Sequence, residues 1–112
     1  MHPVIQSFIQ ERIEFETKLT EVGWMVSKDI INTKWNDPSI KGKQYGNYKG
    51  GKHRIRLLDD DGTVYFYLYS DENYNTSELD ADVLFYPLDS LGKSYGCTEL
   101  QYKTPTGEYK TL

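Results

Sequence analysis

The sequence predicts a single α+β domain in which one N-terminal amphipathic helix precedes a five- or six-stranded antiparallel sheet or a small SH3-like barrel. Three observations support this fold class. Apolar residues recur at helical spacing before Gly23, runs of alternating polarity follow it, and glycine-containing turns separate those runs. The length of 112 residues suits one core, so residues 1–112 are predicted to form one domain, with the helix at about 3–22 and the β-rich part at about 24–112.

The predicted helix is bounded by a proline and a glycine. Pro3 suits the first turn of a helix, and Gly23 suits the position just past its end. The residues that form one apolar stripe on a helical wheel between them are Val4, Ile5, Phe8, Phe15, Leu19 and Val22. Ile9 and Ile13 widen this stripe, so the helix either has a broad core-facing side or forms a homodimer through these two residues.

Two segments of different composition follow the helix. Residues 24–35 are rich in β-branched and aromatic residues, which predicts a strand that is bulged or broken near Asp29. Residues 36–51 are rich in Asn, Gly, Lys and Tyr and predict a long loop. Loops of that length within a compact domain are often functional.

The clearest element is a hairpin with strands at residues 53–58 and 63–69. The Asp61-Gly62 pair between two alternating runs is a strong hairpin signal, because glycine adopts positive φ without steric cost. With a two-residue loop, the strands pair Leu57 with Phe66, Ile55 with Leu68, Arg56 with Tyr67 and Arg54 with Tyr69. An odd-length loop would place apolar residues opposite basic ones, so the pattern favours the even loop. Tyr65 is expected to join the arginines and tyrosines on one face.

A second hairpin is predicted at the C-terminal end. Residues 97–103 and 108–112 form its strands, and the turn at 104–107 contains Pro105 and Gly107. This spacing suits a type I turn with a bulge at the glycine. That register places Leu100 opposite Leu112.

The region between the two hairpins is predicted to hold only one short strand. Residues 70–82 predict an acidic loop with a helical turn at 77–80. Residues 83–86 form an apolar run that predicts a strand, which Pro87 ends because proline cannot donate to a sheet. Residues 89–96 predict a turn-rich connection.

Charge is distributed unevenly along the chain. The net charge is −4, yet residues 41–56 carry six basic side chains and no acidic one. Residues 57–112 carry eleven acidic side chains and three basic ones. The chain also has 10 tyrosines, which bury a ring while keeping a polar end in water. A basic stripe within an acidic protein indicates a candidate binding face.

No set of side chains predicts catalysis or a metal site. Cys97 and His53 show no recognisable nucleophile or zinc spacing, and a buried Cys97 is expected. Asp59, Asp60 and Asp61 crowd three carboxylates before Gly62, but an EF-hand loop needs its glycine at the sixth position, so a solvated turn is the interpretation. We therefore predict no enzyme activity, no metal and no cofactor.

The single cysteine also bears on location. It excludes an intrachain disulfide framework and favours a reducing compartment. The sequence shows no signal peptide and no apolar run long enough for a membrane span. The prediction is a cytoplasmic protein without membrane contact.

Two stretches of the C-terminal half carry a resemblance. The first is residues 56–66, Arg-Leu-Leu-Asp-Asp-Asp-Gly-Thr-Val-Tyr-Phe. The second comprises Pro-Leu-Asp-Ser-Leu-Gly at 87–92 and Tyr-Gly-Cys-Thr-Glu-Leu-Gln-Tyr at 95–102. Together they resemble small uncharacterised proteins of tailed bacteriophages. The resemblance implies a phage origin and action in the host bacterial cytoplasm, and small phage proteins are often made to bind and disable host proteins.

Three functions follow as hypotheses. The first is a phage-encoded interaction protein that inhibits a host defence or nucleic-acid-processing protein, in which acidic side chains meet a basic groove of the partner. The acidic residues proposed for that contact are Asp59, Asp60, Asp61, Asp71, Glu72, Glu78, Asp80 and Asp82. The second is a nucleic-acid-binding module with cations for phosphates and rings for bases. Its candidate residues are Lys41, Lys43, Tyr45, Tyr48, Lys49, Lys52, Arg54 and Arg56. The third is a virion or assembly component.

Overall fold

A computed structural model describes residues 22–112, and the predicted helix at 3–22, with Ile9 and Ile13, lies outside the described residues except for Val22. The α+β class is confirmed within residues 22–112. The elements, in chain order, are β1 (Trp24–Asp29), α1 (Ile31–Lys34), β2 (Gln44–Tyr45), β3 (His53–Leu58), β4 (Val64–Ser70), α2 (Ala81–Pro87), a π-helical turn (Leu88–Gly92), α3 (Lys93–Tyr95), β5 (Glu99–Lys103) and β6 (Tyr109–Thr111).

The six strands form one antiparallel sheet in the order β2-β1-β4-β3-β5-β6. The first and last strands of this order are its two edges, so the described strands form an open sheet rather than the closed SH3-like barrel that was the other expectation. Both edge strands are short, with two and three residues. Short edges limit pairing with other chains, which is a common way to protect an open sheet.

The register predicted for the β3–β4 hairpin is confirmed, but the predicted turn is wrong. Leu57 pairs with Phe66, and Arg56 pairs with Tyr67. The Asp59 amide donates to the Thr63 carbonyl at 3.0 Å, which leaves a three-residue loop rather than two. Leu58 pairs with Val64, so Tyr65 is an extra, bulged residue on β4. The extra residue of the bulge offsets the extra residue of the loop, and Leu57 therefore still pairs with Phe66.

The β5–β6 hairpin forms as predicted. The Gly107 amide donates to the Thr104 carbonyl at 3.0 Å, and Gly107 has φ +90°. The Leu112 amide donates to the Leu100 carbonyl at 3.0 Å, which places these two residues opposite each other. The positive φ explains why glycine occupies the last position of this turn.

The segment at 24–35 differs from its prediction beyond Asp29. The strand ends there, and the short helix α1 replaces its second half. The Asp29 carboxylate is 5% exposed and accepts hydrogen bonds from the Asn32 amide at 3.0 Å and the Asn32 side-chain nitrogen at 2.7 Å. Asp and Asn side chains that bond nearby backbone divert a chain from a strand into a turn. The long loop that follows contributes β2 to the sheet.

The strand predicted at 83–86 is wrong, because these residues belong to the helix α2. Val83, Leu84, Leu88 and Leu91 are all buried, and their spacing matches one side of a helix rather than alternate residues of a strand. The turn-rich connection predicted at 89–96 is also helical. Pro87 lacks the amide that would continue regular bonding, and the wider π-helical turn begins at the next residue.

The core lies between one face of the sheet and the helical segment. The buried sheet residues are Trp24, Val26, Ile55, Leu57, Phe66, Leu68 and Leu100, and Leu84, Leu88, Leu91 and Cys97 pack against them. This arrangement covers one sheet face with helices and leaves the opposite face for alternate residues of the same strands. No helix within residues 22–112 has the length and apolar character needed to span a bilayer.

Candidate functional site

The sheet face opposite the core carries cations and aromatic rings. Along β4, Tyr67 and Tyr69 alternate with the buried Phe66 and Leu68. We use the term open face for the side chains of Lys28, Arg54, Arg56, Tyr67, Tyr69, Gln101, Lys103 and Tyr109. The alternation of strands therefore gathers on one surface residues that are up to 81 positions apart in the sequence (28 to 109).

The open face is arranged in two cross-strand rows. In one row Arg54 pairs with Tyr69, and in the next Arg56 pairs with Tyr67. Lys28 lies on the other side of Tyr67, and Gln101 lies on the other side of Arg56. Each arginine therefore has a tyrosine directly opposite it. The rings form a column along β4, and the guanidinium groups form a parallel column along β3, about 5 Å away.

Cations also lie over the tyrosine rings. The Arg56 guanidinium carbon is 3.9 Å from the centroid of the Tyr109 ring. The Lys52 ammonium is 4.8 Å from the centroid of Tyr69, and the Lys28 ammonium is 5.9 Å from that of Tyr67. Such contacts are attractive because the ring face carries partial negative charge. They hold the cations close to the rings without neutralising them.

Arg56 is oriented by a chain of hydrogen bonds. Its Nε donates to Gln101 Oε1 at 2.7 Å, and Gln101 Nε2 donates to Glu99 Oε2 at 2.7 Å. Glu99 Oε1 also accepts a bond from the Thr111 hydroxyl at 3.1 Å. The carboxylate at this end of the sheet is thus bonded to neutral groups rather than to an arginine. With respect to residues 22–112, the guanidinium keeps its charge and the rest of its five donors for another partner.

A depression of about 330 Å³ lies in the open face. The residues that line it are Ser27, Lys28, Arg54, Tyr67, Leu68, Tyr69 and Tyr109. Its volume is at the lower end of the range for small-ligand sites, about 300–1,000 Å³. Ser27 reaches it because the β1–β4 register shifts between Val26 and Lys28. Burial raises the pKa of Tyr109 above its ordinary value of 10.0, although Arg56 opposes this, so the hydroxyl stays protonated and the ring neutral near pH 7.

The predicted acidic residues lie in three parts of the described chain. Asp59, Asp60 and Asp61 lie in the β3–β4 turn, whereas Asp71 and Glu72 follow the far end of β4. A seven-residue strand separates the two groups by about 20 Å. The remaining residues of the set, Glu78, Asp80 and Asp82, lie before or at the start of α2 and are exposed.

Two of these carboxylates have structural roles. Asp59 Oδ1 accepts bonds from the Asp61 and Thr63 amides, both at 2.9 Å, and the Thr63 bond is the main cause that lowers the pKa of Asp59 below 3.8. Asp71 accepts bonds from the Lys49 amide at 2.8 Å and the Gly51 amide at 2.7 Å. These carboxylates therefore stabilise a turn and a loop, whatever else they contact.

The β3–β4 turn borders a second cleft. Asp59, Asp60 and Asp61 offer carboxylate oxygens within 4.8 Å of one another, the only such group of possible metal ligands within residues 22–112. The cleft beside them has a volume of about 480 Å³, and Phe85, Leu100 and Leu112 supply its apolar lining. The Asp59 carboxylate is hydrogen-bonded within the turn, so the fully exposed side chains of this acidic group are those of Asp60 and Asp61.

The predicted basic stripe is divided between two sides of the sheet. Arg54 and Arg56 belong to the open face, and Lys52 lies over the ring of Tyr69. Tyr45, in contrast, stacks on the buried Trp24 with ring centroids 4.0 Å apart and planes at 10°. The Lys43 ammonium lies 5.3 Å from the Tyr45 ring, on that same side.

The rest of the stripe belongs to the loop before β3. The Tyr48 hydroxyl donates to the Gly51 carbonyl at 2.6 Å, and the Lys49 amide bonds to Asp71. Lys41 is exposed beside the turn that leads into β2. Three of the eight predicted residues, Lys52, Arg54 and Arg56, are therefore brought to the tyrosine-bearing face.

Several members of the open face were not predicted. Lys28 was missed because the bulge at Ser27 changes the side of the sheet to which Lys28 belongs, and the sequence predicted an irregularity near Asp29 without giving its position. Lys103 and Tyr109 were missed because the link between β5 and β3 joins two hairpins that are far apart in sequence. Tyr65 is displaced from the face because it is the bulged residue, and its hydroxyl bonds to Asp59.

Cys97 and His53 are too far apart to act together. Cys97 is 2% exposed, and the amide that follows it, that of Thr98, donates to the Leu58 carbonyl at 2.8 Å. His53 begins the same strand that Leu58 ends, about 17 Å away at the rise of a β-strand. Burial raises the pKa of the Cys97 thiol to about 12, so it remains protonated. The predicted burial of Cys97 is confirmed.

The sequence of the chain matches no protein-family model and no curated protein, and its fold matches no solved structure.

Proposed function

We propose that the protein binds single-stranded nucleic acid on the open face. The observation that carries this proposal is the pairing of an arginine with a tyrosine in each of two neighbouring cross-strand rows, Arg54 with Tyr69 and Arg56 with Tyr67. This function was the second of the hypotheses drawn from the sequence, and the surface that supports it is the sheet face rather than the loop at 41–51.

The chemistry of the face suits a single strand. Arg54, Arg56, Lys28 and Lys103 supply cations for phosphates, and tyrosine rings supply surfaces on which bases stack. A duplex hides the faces of its bases within its own stack, so it would use only the cations. Single strands expose both groups and gain from both.

The net negative charge of the chain does not produce strong electrostatic repulsion of a nucleic acid at the open face. Asp60 and Asp61 lie at the β3–β4 turn, and Glu72 lies beyond the other end of β4. Over these distances salt at physiological concentration screens much of the repulsion, since the Debye length is about 8 Å. Two carboxylates lie two residues beyond the partners of the arginines, Glu99 on β5 and Asp71 after β4. Glu99 is bonded to Gln101 and Thr111, and Asp71 accepts bonds from the Lys49 and Gly51 amides.

The test is a titration of fluorescently labelled oligothymidylate with the protein at several salt concentrations, followed by anisotropy. We expect the logarithm of the affinity to fall linearly with the logarithm of the salt concentration. The double variant Arg54→Gln/Arg56→Gln should bind more weakly and with a slope smaller by about 1.4, because each phosphate contact to a single strand contributes about 0.7.

A matched control separates the face from net charge. Lys93→Gln/Lys110→Gln removes the same charge, but the Lys93 ammonium lies 3.0 Å from Asp89 on the helical side and Lys110 alternates with the open-face Tyr109. This control should keep the affinity and slope of the wild type. Equal losses in both double variants, or no binding by the wild type, would contradict the proposal. Thermal unfolding of each variant confirms that it is folded.

A second candidate function is favoured by one residue, Trp35. Its side chain is 68% exposed, although indole is a costly group to leave in water. The segment around it is held firmly, since Asp29 accepts bonds from Asn32 and from the Ile40 amide at 2.8 Å. Rigidly presented tryptophans are frequent anchors of protein interfaces. This observation supports the hypothesis of an interaction protein that inhibits a host protein.

The acidic turn lies near the segment that carries this tryptophan. The pKa of Asp59 is lowered mainly by its hydrogen bond from Thr63 and to a lesser degree by the charge of Lys34, the neighbour of Trp35 in the sequence. We therefore include Asp60 and Asp61 in the proposed contact with the partner. The phage origin and the virion role stay predictions.

The inhibitor function is tested by affinity capture from nuclease-treated bacterial lysate with the wild type and with Trp35→Ala. A stoichiometric protein that the wild type retains and Trp35→Ala loses would support it. Lys110→Ala is the control for an exposed substitution elsewhere and should retain the protein. Capture that is unchanged by Trp35→Ala would exclude this residue as the anchor.

A further inference from the structure

We infer that a bound strand runs along β4 in an extended, unstacked form, so that the open face prefers weakly stacked pyrimidine strands over stacked purine strands. This inference rests on the proposed function and adds the path and the substrate class. It follows from the spacing of the rings and from the parallel column of cations.

The spacing of the rings sets the first requirement. Tyr67 and Tyr69 are two residues apart on β4, and both face away from the core. At the rise of a β-strand this separates their Cα atoms by about 7 Å. Successive bases of a stacked strand are about 3.4 Å apart. A strand that places neighbouring bases on these two rings must therefore be stretched to about twice its stacked rise.

The cations set the direction of the strand. Arg54 and Arg56 form a column on β3 that is parallel to the tyrosine column on β4, and each arginine is directly opposite a ring. A strand that lies along β4 can place its bases on the rings and its phosphates on the guanidinium groups at each step. A nucleic-acid strand that runs across the sheet, perpendicular to β4, would meet a tyrosine ring on one β-strand and a cation on the next. Each nucleotide would then contact either a ring or a cation, but not both.

The depression provides a seat for one base. Its lining includes Tyr67 and Tyr69 of β4, Tyr109 of β6, Arg54 of the intervening β3 and Lys28 of β1. Its lining has aromatic and cationic groups and the hydroxyl of Ser27, but no carboxylate or side-chain amide. Since the donors of Arg54 and Lys28 are assigned to phosphates and the tyrosine rings accept any base, we expect the preference to come from the ease of unstacking rather than from base identity.

The experiment compares labelled oligothymidylate, oligoadenylate and an abasic strand of equal length in anisotropy titrations at one salt concentration. We expect oligothymidylate to bind about tenfold more tightly than oligoadenylate, because adenines must be unstacked first. The abasic strand should bind most weakly, since it has the phosphates and lacks the bases. Tyr67→Leu/Tyr69→Leu should lower the oligothymidylate affinity by about 25-fold or more, because loss of stacking costs about fivefold to a hundredfold for each base and two rings are removed, and it should remove the preference.

The conservative variant Tyr67→Phe/Tyr69→Phe keeps both rings and should keep both the affinity and the preference. If the leucine variant does not fold, which thermal unfolding reveals, the comparison of the three strands on the wild type still decides the matter. Equal affinity for oligothymidylate and oligoadenylate would overturn the extended path while leaving single-strand binding intact. Failure to bind any of the strands would overturn the proposed function as well.

Discussion

The two faces of the sheet consist of alternate residues of the same strands, and substitutions on the two faces differ in how much they lower the free energy of unfolding. On the buried face, Phe66 and Leu57 are completely removed from water. On the open face, their neighbours Tyr67 and Arg56 are half-buried and lie directly opposite each other on the two strands. The comparison shows that one period-2 pattern specifies both a core that stabilises the fold and a polar surface that is available for binding.

The largest expected effect is on the buried face. Phe66→Ala should lower the free energy of unfolding by about 3–5 kcal/mol, because it removes a large side chain and leaves a cavity. Tyr67→Ala should lower the free energy of unfolding by less than about 1 kcal/mol, because one cross-strand pair contributes at most about that amount. Urea denaturation followed by circular dichroism measures both values. Similar losses in the two variants would show that the open face is part of the core.

A smaller loss of stability is expected for substitution of Asp29, whose carboxyl group is buried. Asp29→Ala should lower the free energy of unfolding by about 2–3 kcal/mol, because the donors of Asn32 and Ile40 would lose their acceptor. Asp37→Ala removes an exposed carboxylate from the same segment and should change stability by less than about 0.5 kcal/mol. Equal values for the two variants would mean that Asp29 does not anchor residues 30–40. The emission of Trp35 gives a second measurement of that anchoring.

The effect that is smallest at neutral pH concerns the thiol of Cys97, because it develops only above pH 9. Burial raises the pKa of Cys97 from 9.0 to about 12, so the folded state keeps the thiol proton at a pH where the unfolded state releases it. The stability that this proton contributes is complete below pH 9 and is lost as the pH rises toward about 12. Urea titrations across that range should show a decline that is shallower in Cys97→Ala. An identical decline would assign the effect to other groups.

Local patterns predicted the two hairpins because their chemistry is short-range. Gly107 with Pro105 specified one turn, and the alternation around Leu57 specified the register of the other. The region at 83–96 was misread because a short apolar run ending at Pro87 fits a strand and a helix equally well by sequence. Tertiary packing of Leu84 and Leu88 on the sheet decided in favour of the helix.

The candidate site was only half visible in the sequence for a different reason. Arg54, Arg56, Tyr67 and Tyr69 belong to one hairpin, so their common face followed from its register. Lys28 and Tyr109 reach the same face through strand neighbours that are distant in the chain. The predicted acidic residues show the converse, since Asp59 and Asp71 are only 12 positions apart in sequence (59 to 71) and yet lie at opposite ends of one strand.

The bulge at Tyr65 has a consequence for how this chain can change. The eight residues between Leu57 and Phe66 can be folded as an even loop without a bulge or, as observed, as an odd loop with one. The bulge therefore uncouples the length of this segment from the two faces of β4. Deletion of Tyr65 would keep the three-residue loop and the Leu58–Val64 pair, and Phe66 would follow directly opposite Leu57. A change of one residue can thus be absorbed by loss or gain of the bulge, so related sequences should differ in length at this turn by single residues without exchanging the core with the open face.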